Sequence, residues 1–333
     1  MRNTYLENEE GVRRHITCKK SDDLIHLETS SDHSKGVSML IAITGASGFI
    51  GSALTSSLEK DGHKILSVSR STSGDILWNP TSGQIEAEKL EGVDAVIHLA
   101  GENIASRRWT EKQKSKILDS RVEGTKLLTK SIVNLTNPPS VLLSGSAIGI
   151  YGSRGDEELD EDSSRGSGFL SDVVDQWEKS TSEAEAAGIR VTHLRTGLVQ
   201  SPRDGMMKKT LPFFKLGIGG KLGSGSQFWS WISLEDEIRL ITWLLTADLS
   251  GPVNLTAPNP VTNLEFTKSL GRAVSRPTIF PIPMIGPKLL LGGELATNLI
   301  ETSARVIPKR ALENGFEFRH SDLDASLPDI LKK

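Results

Sequence analysis

A single cysteine, Cys18, stands in the chain. No internal disulfide can form and no zinc site can be built from cysteines, which suits a reducing compartment and points to the cytoplasm. Tyrosine is nearly as scarce, with only Tyr5 and Tyr151 present, and that scarcity limits the chemistry considered below. No apolar run approaches the roughly 18 residues that a membrane span needs. Charge of one sign is lacking too: the formal net charge of the 333 residues is -3, which gives neither the basic footprint of a nucleic-acid binder nor that of a protein held on an anionic membrane. The expectation is a soluble protein of one large or two modest domains, acting on a small molecule.

Residues 1–38 lack a sustained apolar period. Glu7, Glu9, Glu10, Asp22 and Asp23 alternate there with Arg13, Arg14, Lys19 and Lys20. A secretory signal would show an apolar core, and a transit peptide would avoid the acids, so this stretch reads as a polar, mobile extension. Cys18, His15, His26 and His33 fall within it, too widely spaced for a metal tract. No metal site is expected. Met39, directly before the first apolar strand, leaves open a later start.

The chain is organised around Met39 to Gly51, MLIAITGASGFIG. Apolar residues run into a turn with Gly45, Gly48 and Gly51, and Ile50, Ala53, Leu54 and Leu58 then recur at helical spacing until Asp61-Gly62. Strand, glycine loop and helix in this order form a dinucleotide cradle, with Gly45, Ser47, Gly48, Phe49, Ile50 and Gly51 against the pyrophosphate. The helix N-terminus adds unpaired N–H groups and partial positive charge. A second strand, Lys64 to Val68, ends in Ser69-Arg70-Ser71. An acid at this tip would hold a ribose hydroxyl and reject a phosphate. Arg70, flanked by hydroxyls, instead matches a 2'-phosphate, so the cofactor expected is NADP(H).

A third strand, Asp94 to Leu99, leads into Leu99-Ala100-Gly101, small residues that permit close approach to a cofactor. His98 within it reads as a satisfied core histidine. Thr110 to Gln113 has the form of a capping box, opening a helix to about Leu135. Val141 to Ser144 is the next strand, and Ser146 just beyond it places a hydroxyl at the carboxyl end of a parallel sheet.

These residues carry a resemblance. GASGFIG, HLAG, SRVEGT, SGSA followed by YG, LRTG and SWISLED resemble the extended short-chain dehydrogenase/reductase superfamily, on its nucleoside-diphosphate-sugar epimerase branch. RRW, WE at 177–178, GGKLGSG, APNPVTN and GFEF are similar to a sub-family of NADP-binding epimerase-family proteins with a C-terminal module of unknown function, some of which carry a cell-division-inhibitor label. The resemblance spans Met39 to about Leu331. It implies a tyrosine with a lysine four residues later, the lysine lowering the tyrosine pKa while the phenol moves a proton. Here Tyr5 is followed by Glu9 and Tyr151 by Gly155, so no such pair exists. Aligned on Glu178, Leu170 takes the tyrosine position and Val174 the lysine position. The superfamily's asparagine is replaced by Arg121, and Ser146 alone remains as a catalytic candidate. Arg121 is expected on the cofactor, while Lys116 is open between ligand contact and a surface salt bridge. By the same resemblance, Val199 follows a segment that crosses near the nicotinamide, or else it plugs the core.

In the second half, Asp156 to Asp162 is acidic and reads as a solvated lid edge. A helix from about Ser171 to Ala187 follows. Lys215 to Gly225, KLGIGGKLGSG, reads as a mobile wall or lid of the substrate pocket. Trp229 and Trp231 are open between stacking on a ligand and core packing. The fold expected is α/β: a Rossmann-like, doubly wound parallel sheet binding NADP(H) over 39–200, with a smaller mixed α/β C-terminal lobe over 201–333 on the substrate side. Two functions compete: an oxidoreductase or epimerase-like enzyme with an atypical site, and a non-catalytic protein that senses NADP(H) or serves as a scaffold, with cell division as a label-only link. The sequence leaves the oligomeric state open.

Overall fold

Hydrophobic runs of four to seven residues alternate with amphipathic helices from Leu40 onward, and in the computed structural model they stack as one large sheet. The structure describes residues 38–332, so the expectations placed on Tyr5, Cys18 and the early histidines lie outside the described residues. Strand β1 (Leu40–Thr44), α1 (Phe49–Lys60), β2 (Lys64–Ser69), β3 (Ile76–Asn79), β4 (Gln84–Ile85) and β5 (Ala95–His98) come first. Next are α2 (Glu111–Val133), β6 (Val141–Ala147), β7 (Glu158–Leu159), α3 (Phe169–Lys179), α4 (Ser182–Ala186), β8 (Arg190–Thr196) and β9 (Leu198–Gln200). The remainder includes α5 (Gly205–Lys215), β10 (Phe228–Trp229), β11 (Trp231–Ser233), α6 (Leu234–Leu244), β12 (Gly251–Leu255), β13 (Val261–Thr262), α7 (Asn263–Ala273), α8 (Ile285–Leu291), α9 (Gly293–Ala296) and β14 (Arg305–Val306).

The eight-stranded sheet has the order β12-β8-β6-β5-β1-β2-β3-β4, parallel except where β3 meets β4. From β1 the chain moves outward one way through β2, then returns to β5 and moves the other way. The connections that leave the carboxyl ends of the paired strands β1 and β5 therefore run to opposite sides, which opens a crevice at the point where strand order reverses. Alternation along β1 sends Ile41 and Ile43 into one core with Leu54, Leu58 and Ile241, and Ala42 into another with Val68, Trp78, Val96 and Leu128. Leu54 and Leu58 are fully buried, and each such side chain contributes roughly 1.5–3 kcal/mol. A third core joins Met207, Phe214, Trp231, Phe266 and Leu327. No helix among the described residues is long and apolar enough to cross a membrane.

Local departures from expectation have identifiable causes. The helix expected from Ser171 to Ala187 breaks into α3 and α4, where Ser180 Oγ and Thr181 Oγ1 donate back to the carbonyls of Gln176 and Glu178 and compete with helix propagation. Thr110 caps α2 by accepting from Gln113 N, but the Gln113 side chain donates to Glu102 and does not close a box. Asp156, Glu157, Glu158 and Asp162 are exposed, as a solvated edge requires, and the stretch is also paired: Glu157 with Arg154, Glu158 with Arg305, and Asp160 and Asp162 with Lys309. Buried Glu161 accepts from the backbone N–H of Asn254 and Arg310, and β7 pairs with β14. Arg305 and Lys309, far along the chain, thus pair with the acidic stretch while most of its carboxylates stay exposed.

Candidate functional site

A cleft of about 640 Å³ lies at the carboxyl ends of the strands. Its first end is backbone. Gly45 turns the chain out of β1 with φ 71°, and its carbonyl accepts from Gly48 N at 2.9 Å. At Gly51 an added Cβ would stand 2.1 Å from that same carbonyl, so α1 can pack this close to β1 only without a side chain there. Gly48 caps α1 without a side-chain bond, and no acid lies in the first turn. The first N–H groups of a 12-residue helix therefore have no side-chain acceptor, which is the arrangement that takes an anion.

Gly45, Gly48, Phe49, Ile50, Gly51, Leu99, Gly101, Arg121, Ser146 and Val199 line the cleft. Ser47 is exposed at the loop tip. Ala100 borders the loop through its N–H, which donates to Thr44 Oγ1, but does not line the cleft. Ser69 ends β2, its hydroxyl donating to Ser71 O at 2.8 Å. Arg70 follows, exposed. The structure does not bring Lys116 to the cleft: it is exposed on α2. Five residues from Arg121 turn a helix by about 140° beyond a full revolution, away from the face that Arg121 presents. Arg121 donates to Glu102 O and Ile117 O at 3.0 and 3.1 Å and lies 5.0 Å from the centre of the Trp177 ring. Burial lowers its guanidinium pKa to about 10, so it stays charged at neutral pH.

The second end of the cleft is side chain. Leu170, Val173, Val174 and Trp177 form an i, i+3, i+4, i+7 stripe on α3 that faces the cleft. The two positions aligned with tyrosine and lysine therefore present hydrocarbon. Behind them runs a polar chain that sequence reasoning missed. Ser146 Oγ donates to Glu178 Oε1 at 2.6 Å. Arg195 grips both oxygens of Glu178, at 2.8 and 2.9 Å, and its Nη1 donates to Tyr151 Oη at 2.8 Å. Tyr151 Oη donates in turn to Asn254 Oδ1 at 2.8 Å. Burial pushes the Glu178 carboxyl up, but the bonds and charge of Arg195 outweigh burial and hold it below the usual range. Burial pushes the Tyr151 phenol up to about 12. The available signal was the pair of short motifs holding Glu178 and Arg195; nothing local joined them.

Other candidates resolve plainly. His98 is buried, its ring nitrogens bonded to the hydroxyls of Thr44 and Thr125 at 2.7 and 3.0 Å, and burial lowers its pKa to about 4. It is the satisfied core histidine expected. Trp231 is core, its indole N–H donating to Asn259 O, whereas Trp229 lines the cleft and packs edge-on against Phe266. The glycine-rich stretch 215–225 does not line the cleft; Gly219 and Gly220 are buried against Phe214 and the Phe280 carbonyl. Asn298, Leu299, Thr302 and Ala304 form the C-terminal side of the cleft instead. Away from it, Glu235, His320 and Asp329 bring ligating atoms within 4.8 Å of one another. There Arg319 pairs with Glu235, while Ser233 and Asp329 bond the ring of His320.

An open α/β sheet with a glycine loop and an uncapped helix facing its switch-point crevice defines the dinucleotide-binding class. Within that class the chain belongs to the NAD dependent epimerase/dehydratase family, whose model matches residues 41–255, and residues 282–330 match a domain of unknown function, DUF1731. An epimerase family protein of Mycobacterium bovis is 42% identical over 292 residues, covering 86% of this chain and 96% of the relative. The crystal structure of human epimerase family protein SDR39U1 with NADPH superposes with a TM-score of 0.80 at 34% identity, covering 89% of this chain and 100% of that one. A nucleoside-diphosphate sugar epimerase from Corynebacterium glutamicum superposes with a TM-score of 0.73 at 34% identity, covering 88% of this chain and 58% of that one.

Proposed function

We propose that the protein binds NADP(H) and works as an oxidoreductase or epimerase-like enzyme on a small molecule, with Ser146 and Glu178 in place of the missing tyrosine and lysine. The observation that carries this reading is the 2.6 Å bond from Ser146 Oγ to Glu178 at the wall of the cleft. The cofactor fits the residues present. The loop from Gly45 to Gly51 would hold the pyrophosphate, and Leu99, Gly101, Arg121 and Val199 line the path beyond it. Arg70, exposed at the end of β2 with no partner among the described residues, would take the 2'-phosphate. NADPH in the related human structure supports the same choice. When bound, NADP(H) supplies hydride-transfer chemistry.

The residues of the chain then manage the proton. Arg195 keeps Glu178 ionised, so Ser146 must donate to it and has lone pairs left for a substrate hydroxyl. A proton leaving that hydroxyl passes to Ser146 Oγ as the serine proton passes to Glu178. A cytoplasmic setting belongs to the same reading; the lone cysteine, which can form no internal disulfide, is compatible with a reducing compartment. The assignment of 39–200 to the cofactor and 201–333 to the substrate side belongs to the same reading.

One observation favours the non-catalytic alternative: Leu170 and Val174 face the cleft where a phenol and an ammonium would be needed. Titration of the full chain with NADPH and NADH, followed by single-turnover oxidation of bound NADPH against a metabolite panel, separates the readings. NADPH should bind at least tenfold more tightly than NADH, and Arg70→Ala should remove about 10- to 100-fold of NADPH affinity, as expected for charged hydrogen bonds. Failure of NADPH to bind sinks both readings. Binding without oxidation across the panel favours the sensor.

A further inference from the structure

The chemical half of the cleft is built without charge. Ile148, Leu170, Val174, Met206, Phe228 and Leu299 give it hydrocarbon walls. The polar side chains among them are uncharged: Thr196 donates to Glu237, Gln200 to Leu198 O, Asn298 to Glu294 O, and Ser230 to Ala304 O, while Gln200 Oε1 and the indole N–H groups of Trp177 and Trp229 have no hydrogen-bond partner among the described residues and could meet the few polar atoms of a neutral ligand. Among the described residues, the charged side chains that line the cleft are Glu102 and Arg121. Arg121 is turned onto two carbonyls and the Trp177 face. Two cations outside the lining are paired, Arg195 with Glu178 and Arg305 with Glu158. A diphosphate brought into this half would lose its water and meet no cation among the side chains that wall it, an unfavourable exchange. An uncharged apolar body gains from the same walls.

We infer that the substrate is an uncharged, largely apolar molecule bearing one hydroxyl or carbonyl, held at Ser146, and not a nucleoside diphosphate sugar. This inference rests on the proposed NADP(H)-linked chemistry. It predicts selectivity by charge within molecules of one shape. Arg121, Glu102 and the loop at Gly45 serve the cofactor end, so the substrate would owe its affinity to the α3 stripe, Met206, Phe228 and Leu299.

The test uses the full chain saturated with NADP+, after NADPH binding has been measured. Binding is read by calorimetry and by quenching of tryptophan fluorescence, since Trp177 and Trp229 line the cleft. Probes are UDP-glucose and a panel of neutral ketones and alcohols (acetophenone, cyclohexanone, 2-decanol), with 4-acetylbenzoate as the charged match of acetophenone. At least one neutral probe should bind saturably, acetophenone should exceed 4-acetylbenzoate by at least tenfold, and UDP-glucose should show no saturable binding. Leu299→Asp should weaken the neutral probe at least tenfold and leave NADPH affinity unchanged. Saturable UDP-glucose binding, preference for the carboxylate, or silence from every neutral probe overturns the substrate class while the cofactor reading stands. Failure of NADPH itself to bind overturns the proposed function, and this inference with it.

Discussion

Glu178 and Glu237 reach the same strand from opposite faces, and they hold their protons oppositely. Their partners, Arg195 and Thr196, are consecutive residues of β8, so their side chains leave the sheet on opposite sides. Toward α3, Glu178 receives two bonds from Arg195 and one from Ser146. Toward α6, Glu237 is fully buried and accepts from Thr196 Oγ1 at 2.8 Å, while its Oε2 has no hydrogen-bond partner. Burial acts upward on both carboxyls. A guanidinium reverses that effect for Glu178, whereas the Thr196 bond only moderates it for Glu237, which is pushed up to about 8. The partner, more than the depth, sets the charge: each carboxyl accepts from the hydroxyl of a cleft-lining residue, Ser146 or Thr196, and the ionised one is the one that a guanidinium also grips.

The largest effect that would break this comparison lies on the Glu237 side. Its carboxyl ionises near the usual 4.5 when unfolded and near 8 when folded. Between those values the native state keeps a proton that the unfolded state has lost, so stability falls as pH rises from 4.5 to 8 and levels off above. The span corresponds to about 5 kcal/mol. His98 runs the other way: with a folded pKa of about 4 against 6.5, it makes stability fall as pH drops from 6.5 to 4. Comparison with Glu237→Gln isolates the glutamate. Urea unfolding at pH 5, 7 and 9 should show the variant gaining on the parent at each step. A difference that stays flat with pH would mean that Glu237 is ionised like its counterpart.

Next in size is the pair on the other face. Glu178→Ala leaves the mostly buried Arg195 without its carboxylate and should cost about 3–5 kcal/mol, whereas Glu178→Met combined with Arg195→Met should recover most of that loss. Thermal or urea melts at pH 7 read both. If the double variant is no better than the single one, the ion pair is not what holds α3 to β8.

How much of this was legible follows from distance along the chain. The phosphate loop is local: strand, turn glycines and helix lie within Met39–Lys60, and spacing alone reports them. Arg70 and Ser146 were readable because a strand end can be located from its apolar run. The network behind Ser146 was not, since Glu178 meets Arg195 across 17 residues and Tyr151 meets Asn254 across 103. Strand register decides those meetings, and periodicity does not encode it. The pairing of the acidic stretch was hidden for the same reason: Asp160 finds Lys309 across 149 residues. The sequence leaves Lys116 open because nearness along a helix does not by itself give a shared face, and in the structure it is exposed and does not line the cleft.

The smallest effect concerns Tyr151, the tyrosine among the described residues. Its hydroxyl donates to Asn254 and accepts from Arg195, so Tyr151→Phe leaves one buried acceptor and one guanidinium N–H unmatched, at about 1–2 kcal/mol. Arg195 keeps both bonds to Glu178, and Ser146 is untouched. A phenol pushed up to about 12 does not give up its proton near neutrality, so NADPH affinity and the pH profile of any turnover should survive the change. Melting curves and single-turnover oxidation of bound NADPH, measured on the same preparation, check both statements. If turnover vanishes in a variant that still folds and still binds NADPH, the proton leaves by way of Tyr151, and Glu178 serves only to anchor Arg195.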